Sequence, residues 1–187
     1  MPLALPAILA VHAPTAAQIA RQLAAESRRC SGKLTLTGDG VGAVRVGATV
    51  AAVRKACHVG RVKKQRDDEA QLERVLEFKI GKTPITAELD HGRVWRVVVD
   101  GEDLKTLDKL GVGSPLSSLL AYGDVTAAEG EGWLYATIPG RCGVSFRLSY
   151  EPKTGEDRDN WTTALLSRLP ADTQVTQVLL FGCKPSR

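Results

Sequence analysis

Asp90, His91 and Ser145 are the residue types of a nucleophilic triad, in which a histidine takes the proton of a serine and a carboxylate orients the histidine. Asp90 and His91 are adjacent, however, and Gly92 follows them, which is ordinary turn sequence. Neighbouring side chains at a strand end point in divergent directions. We therefore predict no catalytic residues and no enzyme activity. The alternative is a small envelope hydrolase whose site is assembled only in three dimensions.

The histidines, cysteines and glycines do not form a metal or cofactor motif. His12 lies in a predicted export signal, and His58 ends a predicted helix, where it interacts favourably with the helix dipole. No two cysteines have the Cys-x-x-Cys spacing of a zinc site. The glycine cluster at 38–42 leads into extended sequence, so it lacks the helix-terminal amides that bind a pyrophosphate. We predict neither a metal nor a cofactor.

Four cysteines, an even number, are typical of an exported protein with two disulfides, and this count permits three pairings. Cys142 immediately precedes one strand-like run, and Cys183 follows another, so the two could lie on neighbouring strands. We predict a Cys142–Cys183 bond, and a Cys30–Cys57 bond then follows by elimination.

Residues 1–17 have the pattern of an export signal. An apolar run of about ten residues is followed by small residues suited to a signal peptidase, although no Lys or Arg precedes Arg21. The run is well short of the ~20 apolar residues that span a bilayer. We predict a cleaved signal at 1–17, a periplasmic or secreted location and no stable membrane span. A buried N-terminal helix is the alternative.

Basic residues cluster in one stretch of a chain whose net charge is +4: Arg54, Lys55, Arg61, Lys63, Lys64 and Arg66. Such a stretch could bind polyanions. It has no aromatic residues for base stacking, and export argues against a nucleic acid partner. We predict no nucleic acid binding and treat the stretch as a candidate interaction surface. A solvated surface and a contact with an anionic envelope or lipid surface are the alternatives.

Aromatic residues supply a second candidate surface. Trp133 and Tyr135 alternate along one strand and so share a face, and Trp161 lies on a predicted helix. Exposed aromatics mark protein interfaces, whereas core packing is the alternative for all three. The large side chains expected to fill the core are Trp95, Phe78, Phe146 and Phe181.

The elements that position these residues are organised around a stretch that occurs twice, at 44–56 and 110–121. Each copy has a Val-Gly pair, a helix cap and an apolar stripe at helical spacing. Thr49 predicts a helix from Thr49 to about His58, and Ser114 with Pro115 predicts a second helix that ends at Tyr122. The recurrence indicates a duplicated unit.

Strand candidates follow each helix. The first group is Val75–Ile80, Thr83–Leu89 and Arg93–Asp100, joined by short turns, which predicts an antiparallel meander. Alternation along the third strand puts Trp95, Val97 and Val99 on one face and Val94, Arg96 and Val98 on the other, and we expect one of the two faces to be core. The charged segment 61–73 predicts a solvated loop or exposed helix.

The second group of strands spans 133–138, 144–150 and 173–182, with a short helix at 161–169, capped by Asn160, before the last strand. A short helix, Ala20 to Arg29, is predicted after the signal. The fold class is therefore α+β, with two repeats of a helix plus a three-stranded antiparallel meander and an inserted helix before the last strand. The predicted units are an arm at 18–38, a first repeat at 39–101, and a second repeat at 102–187 with an insertion at 151–172.

The two helix starts carry a family resemblance. Residues 47–53, Gly-Ala-Thr-Val-Ala-Ala-Val, and residues 113–119, Gly-Ser-Pro-Leu-Ser-Ser-Leu, stand where the β-lactamase-inhibitor-protein-like family and the SmpA/OmlA envelope lipoproteins have Gly-Met-[Thr/Ser]-x-x-[Glu/Asp]-Val. The chain resembles these tandem α/β repeat families over roughly 39–183, although the Met and the acid are absent from both copies. The residues before Cys30 are not those that precede a lipidated cysteine. The resemblance and the missing catalytic groups predict a non-catalytic binding domain for another envelope or secreted protein.

Overall fold

The computed structural model describes residues 15–26, 29–66, 72–153 and 160–183, and within these ranges the protein is α+β with four helices and two sheets. The helices are α1 (Ala16–Glu26), α2 (Val50–Ala56), α3 (Leu116–Leu120) and α4 (Thr163–Leu166). The strands are β1 (Thr35–Thr37), β2 (Gly40–Val41), β3 (Val44–Arg45), β4 (Lys63–Arg66), β5 (Leu72–Ile80), β6 (Thr83–Asp90), β7 (Arg93–Val99), β8 (Lys105–Thr106), β9 (Thr126–Gly130), β10 (Trp133–Thr137), β11 (Val144–Leu148) and β12 (Val175–Leu180).

The large sheet has eight antiparallel strands in the order β4-β5-β6-β7-β12-β11-β10-β9. Each half of the chain contributes four strands, one more than predicted. The prediction for 61–73 was wrong over Lys63–Arg66, because this charged segment pairs with β5 as the edge strand. Charge is tolerated there since one side of an edge strand faces solvent. The opposite edge strand, β9, precedes the three predicted strands of the second group and pairs with β10.

The small sheet has the order β3-β2-β1-β8, antiparallel except for the parallel β1–β8 pair. The main core includes residues from this small sheet, from α2 and α3, and from one face of the large sheet, which we call the inner face. Core residues from the helices and the inner face include Val53, Leu119, Ile85, Val97, Phe146 and Val178. The opposite face of the large sheet is the outer face.

Trp95 does not fill the core as predicted; it is 38% exposed. The pairing of β6 with β7 shifts register, so that Glu88 lies opposite Arg96 and Leu89 lies opposite Val94. Trp95 is the extra residue of this β-bulge and has no partner on β6. Alternation restarts after it, which is why Val94 and Val97 are both buried although they are three residues apart.

The other predicted core aromatics have mixed outcomes. Phe146 is fully buried, as predicted, and Phe78 is partly buried against the core. Phe181 is 39% exposed because it continues β12 with its side chain directed away from the core, one residue after the buried Leu180. The prediction for Phe181 was therefore wrong.

One of the three predicted helix caps is confirmed. The Thr49 hydroxyl accepts the Ala52 N–H at 3.2 Å, which confirms the predicted cap of α2. Pro115, not Ser114, holds the cap position of α3, and the Ser114 hydroxyl accepts the Gly111 N–H at 3.0 Å instead. Asn160 does not cap α4, which begins only at Thr163.

Helix α1 begins at Ala16, four residues before the predicted start, and most of its residues are exposed. The predicted signal falls largely on residues 1–14, which lie outside the described residues, and its predicted cleavage position near Ala17 falls in the first turn of α1. No helix in the described ranges is long and apolar enough to cross a membrane. The predicted segment 151–172 lies partly outside the described residues.

Both predicted disulfides are present, Cys30–Cys57 and Cys142–Cys183, each with Cα atoms 5.2 Å apart. The reason behind the second prediction also holds, because β11 and β12 are neighbours and Val144 pairs with Leu180. Each bond closes a loop whose entropy is removed from the unfolded chain, which stabilises the fold by about 3–4 kcal/mol.

Asp39 and Arg45 form a half-buried ion pair between the turn after β1 and strand β3, with Arg45 Nε 3.0 Å from Asp39 Oδ2. Burial by itself would raise the pKa of Asp39, but hydrogen bonds from Arg45 and Thr37, together with the Arg45 charge, lower it. A carboxyl whose pKa is lower in the folded state stabilises the fold above its unfolded pKa, and loses that contribution as the pH falls through the folded value.

We expect Asp39→Asn to lower the free energy of unfolding by about 0.5–1 kcal/mol at pH 7, a modest value because the pair is partly exposed. The difference from wild type should shrink as the pH drops below about 4, where the Asp39 carboxyl of the unfolded chain takes up its proton, and disappear once the pH is below the lower folded pKa. Urea denaturation of both proteins between pH 7 and pH 2.5 measures this. A difference that stays constant across that range would show that the Asp39 charge does not contribute.

Candidate functional site

The outer face of the large sheet is built from every second residue of its strands. Trp133 and Tyr135 lie on it together, as the alternation predicted, since Tyr135 pairs with Arg147 on β11 while the intervening Leu134 is buried. Arg96 on β7 lies on the same face, opposite Glu88 of β6. The face therefore combines aromatic, basic and acidic side chains.

Four of the nine aromatic residues of the chain stand on this outer face: Trp95, Trp133, Tyr135 and Phe181. Trp95 and Phe181 form a pair with ring centroids 6.5 Å apart and planes at 45°. Trp133 and Tyr135 are each half-buried. Large aromatic side chains left in contact with water are the residue type that protein interfaces use most.

Two arginines stack on these rings. The Arg96 guanidinium lies 4.8 Å from the Trp95 ring centroid, and the Arg147 guanidinium lies 4.9 Å from that of Trp133. Arg147 Nε also donates to the Thr176 hydroxyl at 3.0 Å. Each guanidinium is thus held over an indole by a cation–π contact and a hydrogen bond. Both stacks lie on the outer face.

Glu88 is buried at the centre of the outer face, 4% exposed, and accepts a hydrogen bond from Arg96 Nε at 2.6 Å. The Arg96 side chain is itself only 17% exposed. A buried carboxylate requires such compensation, because transfer of an isolated charge out of water is very costly. The Glu88–Arg96 pair is therefore a structural element of the face as well as part of its chemistry.

The polar contacts of the outer face extend across several strands. Arg96 on β7 also reaches Glu131 in the β9–β10 turn, with Nη1 3.7 Å from Oε1. Strands β7 and β10 are three strand spacings apart, about 14 Å, and the two long side chains bridge this separation. Val75, Val98 and Leu179 on this face are buried yet do not belong to the main core cluster. The outer face therefore combines an ion pair that crosses strands with buried apolar side chains of its own.

Tyr135 completes this network. Its hydroxyl donates to Glu131 at 3.3 Å, and its ring covers Gly130 on the neighbouring strand. Burial raises the pKa of the Tyr135 phenol to about 12, and the Glu131 carboxylate adds to the shift. The phenol therefore keeps its proton throughout the physiological range and remains a hydrogen-bond donor.

Trp161, the third predicted interface aromatic, is 7% exposed and belongs to the core cluster. Its backbone forms an isolated bridge with Ala127 on β9, with N–O distances of 2.8 and 3.1 Å, and its ring packs edge-on against Tyr150 at 5.8 Å. The bridge covers part of the edge of β9, which would otherwise be open to another strand. Trp161 is thus a packing residue and is removed from the candidate surface.

The predicted basic surface is separate from the aromatic one. Arg54, Lys55, Arg61 and Lys64 are exposed around α2 and β4, whereas Lys63 forms an ion pair with Glu77. Arg66 ends β4, and its side chain lies outside the described residues. Strands β4 and β10 are six spacings apart in the sheet order, so the basic and the aromatic candidate residues do not form one shared site. We find no aromatic–arginine stack among the described basic residues of this edge.

The candidate catalytic groups do not converge. Asp90 and His91 contact each other at 2.6 Å in the exposed β6–β7 turn. Ser145 is buried on β11, level with Val98 near the far end of β7, roughly 20 Å away along the strand direction. Within the described ranges no group of three or more His, Cys, Asp or Glu side chains could hold a metal ion.

Sequence reasoning missed Arg96, Arg147, Glu88 and the two aromatics that it assigned to the core, Trp95 and Phe181. One signal was available, since Arg96 and Arg147 interrupt otherwise apolar strands. An arginine within a buried-looking strand marks the face that is not core. Alternation along the strand could not predict the face on which Trp95 lies, because a β-bulge shifts the alternation at this residue.

These features define an α+β protein with an eight-stranded antiparallel sheet whose outer face bears stacked aromatic and arginine side chains. No protein-family model and no curated protein matches the sequence. Among solved structures the chain is similar to the uncharacterized protein yfeY from Escherichia coli, with a TM-score of 0.53 and 17% identity over 81% of this chain and 100% of that chain. At this identity the likeness shows the fold alone.

Proposed function

We propose that this protein is an exported, non-catalytic binding protein that holds another envelope or secreted protein on the outer face of its large sheet. The observation that carries the proposal is the set of partly exposed aromatic rings stacked with arginines on one face of the sheet. Trp, Tyr and Arg dominate the energetics of protein interfaces because they bury a large area at low entropic cost. The two disulfides support an oxidising compartment.

The charges of the outer face favour a protein over a polyanion. Arg96 and Arg147 are balanced by Glu88 and Glu131, and Arg96 contacts both acids. A nucleic acid or an anionic lipid surface would require an excess of positive charge. The expected partner therefore presents an apolar segment with a few polar groups, which the aromatic rings bury and the arginines orient.

We further propose that the two halves of the chain are copies of one unit. The Gly47 N–H donates to the Val94 carbonyl at 2.7 Å, and the Gly113 N–H donates to the Val175 carbonyl at 2.8 Å. The return bonds, from Val94 to Ala48 and from Val175 to Ser114, are both 2.9 Å. Each copy thus joins its helix start to the last strand of its own meander. A duplicated sheet yields a wider continuous face than one unit could present.

The test begins with a photo-crosslinking residue at position 133 or, as a control, at position 122, in the full chain expressed in its host. Tyr122 suits the control because it is exposed and stacked by Arg141 at 4.6 Å, yet lies off the large sheet. Position 133 should crosslink one protein that position 122 does not. The captured protein is then purified and its affinity measured by calorimetry.

We expect Trp133→Ala and Phe181→Ala each to weaken that affinity by roughly 30-fold or more, as hot-spot truncations do. Tyr122→Ala should change it less than threefold. Circular dichroism on all three variants controls for folding. Equal losses for all three, or no loss for the two outer-face variants, would contradict the proposal.

A further inference from the structure

The two disulfides differ in their access to solvent. Cys57 is 5% exposed and belongs to the core, and Cys30 is half-buried against that core. Cys142 and Cys183 are both exposed. The second bond is therefore more accessible to a thiol from another molecule in the folded protein than the first, one of whose cysteines belongs to the core.

A cleft of about 300 Å³ opens beside the exposed bond, and both of its cysteines line it. Leu36 and Leu107 supply apolar walls, and Asp108 and Arg141 form an ion pair at the cleft. Leu107 is 50% exposed, so the cleft has an apolar rim open to a partner. These are contacts that another protein could use to place a cysteine against the sulfur atoms.

The bond also reinforces a junction of three backbone segments. Gly182 N–H donates to the Gly38 carbonyl, and Phe181 N–H donates to the Gly143 carbonyl, both at 2.9 Å. The disulfide joins the chain just after this segment to the residue before Gly143. Breaking it would leave the end of β12, which carries Phe181, attached through these hydrogen bonds, the close packing of Gly38, Gly143 and Gly182, and the Trp95–Phe181 ring contact.

We propose that Cys142–Cys183 is an exchangeable disulfide that reacts with a dithiol oxidoreductase in the folded protein, while Cys30–Cys57 is a permanent structural bond. A thiolate of the oxidoreductase attacks one sulfur, forms a mixed disulfide and releases the other cysteine as a thiolate, which takes up a proton. The second thiol of the oxidoreductase then attacks the mixed disulfide. The oxidoreductase leaves as a disulfide, and Cys142 and Cys183 become thiols, so two electrons and two protons are transferred. The inference does not depend on a partner at the outer face.

The test is differential alkylation of the native full chain at neutral pH. The protein is incubated with dithiothreitol, quenched at intervals with iodoacetamide, and digested for mass spectrometry. We expect Cys142 and Cys183 to be alkylated at least ~100-fold faster than Cys30 and Cys57, because Cys57 is buried and its reaction requires opening of the core. Simultaneous alkylation of all four, or earlier alkylation of Cys30 and Cys57, would overturn the proposal.

A second measurement tests the formation of the mixed disulfide with an oxidoreductase. A thioredoxin-fold dithiol protein that lacks its resolving cysteine is mixed with the native oxidised chain, and disulfide-linked products are separated on a non-reducing gel. A covalent 1:1 product linked through Cys142 or Cys183 is the expected result, and a Cys142→Ser, Cys183→Ser double variant should give none. Absence of a product with the wild type, or linkage through Cys57, would refute the assignment.

Discussion

Gly143→Ala is expected to destabilise the protein by about 3–5 kcal/mol, from the strain of a left-handed backbone plus a steric overlap in a packed region. Gly143 has a φ of +74°. A Cβ atom there would meet the Gly38 carbonyl oxygen at 2.4 Å and the Gly182 carbonyl carbon at 2.9 Å. Both are backbone atoms, so neither can rotate away. Thermal and urea denaturation of the purified variant measure the loss.

Gly140→Ala is the matched control in the same loop. Gly140 has nearly the same φ, +75°, but a Cβ atom there meets nothing within 4 Å. Only the backbone strain remains, which costs about 1–2 kcal/mol. The difference between the two variants isolates the close contact of three backbone segments at the junction of the two sheets. Equal losses would mean that the segments separate readily and that the junction is not tightly packed.

Arg96→Ala should lower the free energy of unfolding by about 2–4 kcal/mol, because it removes the arginine from a carboxylate that is buried in the folded state. The Glu88 side chain is 6% exposed and that of Arg96 is 17% exposed. The variant also loses the stacking contact with Trp95. Chemical denaturation at pH 7 measures the change, and Glu88→Gln with Arg96→Ala in a double-mutant cycle separates the ion pair from the stacking contribution.

Lys63→Ala provides the comparison for Arg96→Ala on the same face of the sheet. Its ion pair with Glu77 joins side chains that are 63% and 40% exposed. Exposed pairs contribute about 0–1 kcal/mol, since water and salt screen them. We expect a loss several-fold smaller than that of Arg96→Ala. Comparable losses would show that water reaches Glu88 in the folded protein and that its ion pair with Arg96 behaves as an exposed pair.

Binding measurements require variants whose fold is unchanged. Arg96→Ala alters the fold and the surface together, so a loss of binding in that variant would not identify a contact. Trp133 and Phe181 are better probes, because each is partly exposed and removing it leaves no buried charge behind. The two kinds of variant separate the scaffold of the outer face from its contact residues.

Local sequence chemistry predicted much of the scaffold. The cap at Thr49, the turns at Gly81 and Gly92, and the strands of the first meander depend on neighbours within a few residues, and the structure has them within a few residues of their predicted bounds. The disulfide pairing followed from the same reasoning, since neighbouring strands bring Cys142 and Cys183 together.

The sequence by itself determined the α+β class, the helix cap at Thr49, the meanders and the cysteine pairs, because caps, turns and alternation are set by short-range sterics and hydrogen bonds. The tertiary structure alone decided the edge strands β4 and β9, the burial of Trp161, and the placement of Trp95 and Phe181 on the outer face. A charged segment becomes a strand only when a partner edge exists, and a bulge reverses which residues face the core. Such outcomes depend on residues far apart in the chain, which no local pattern records.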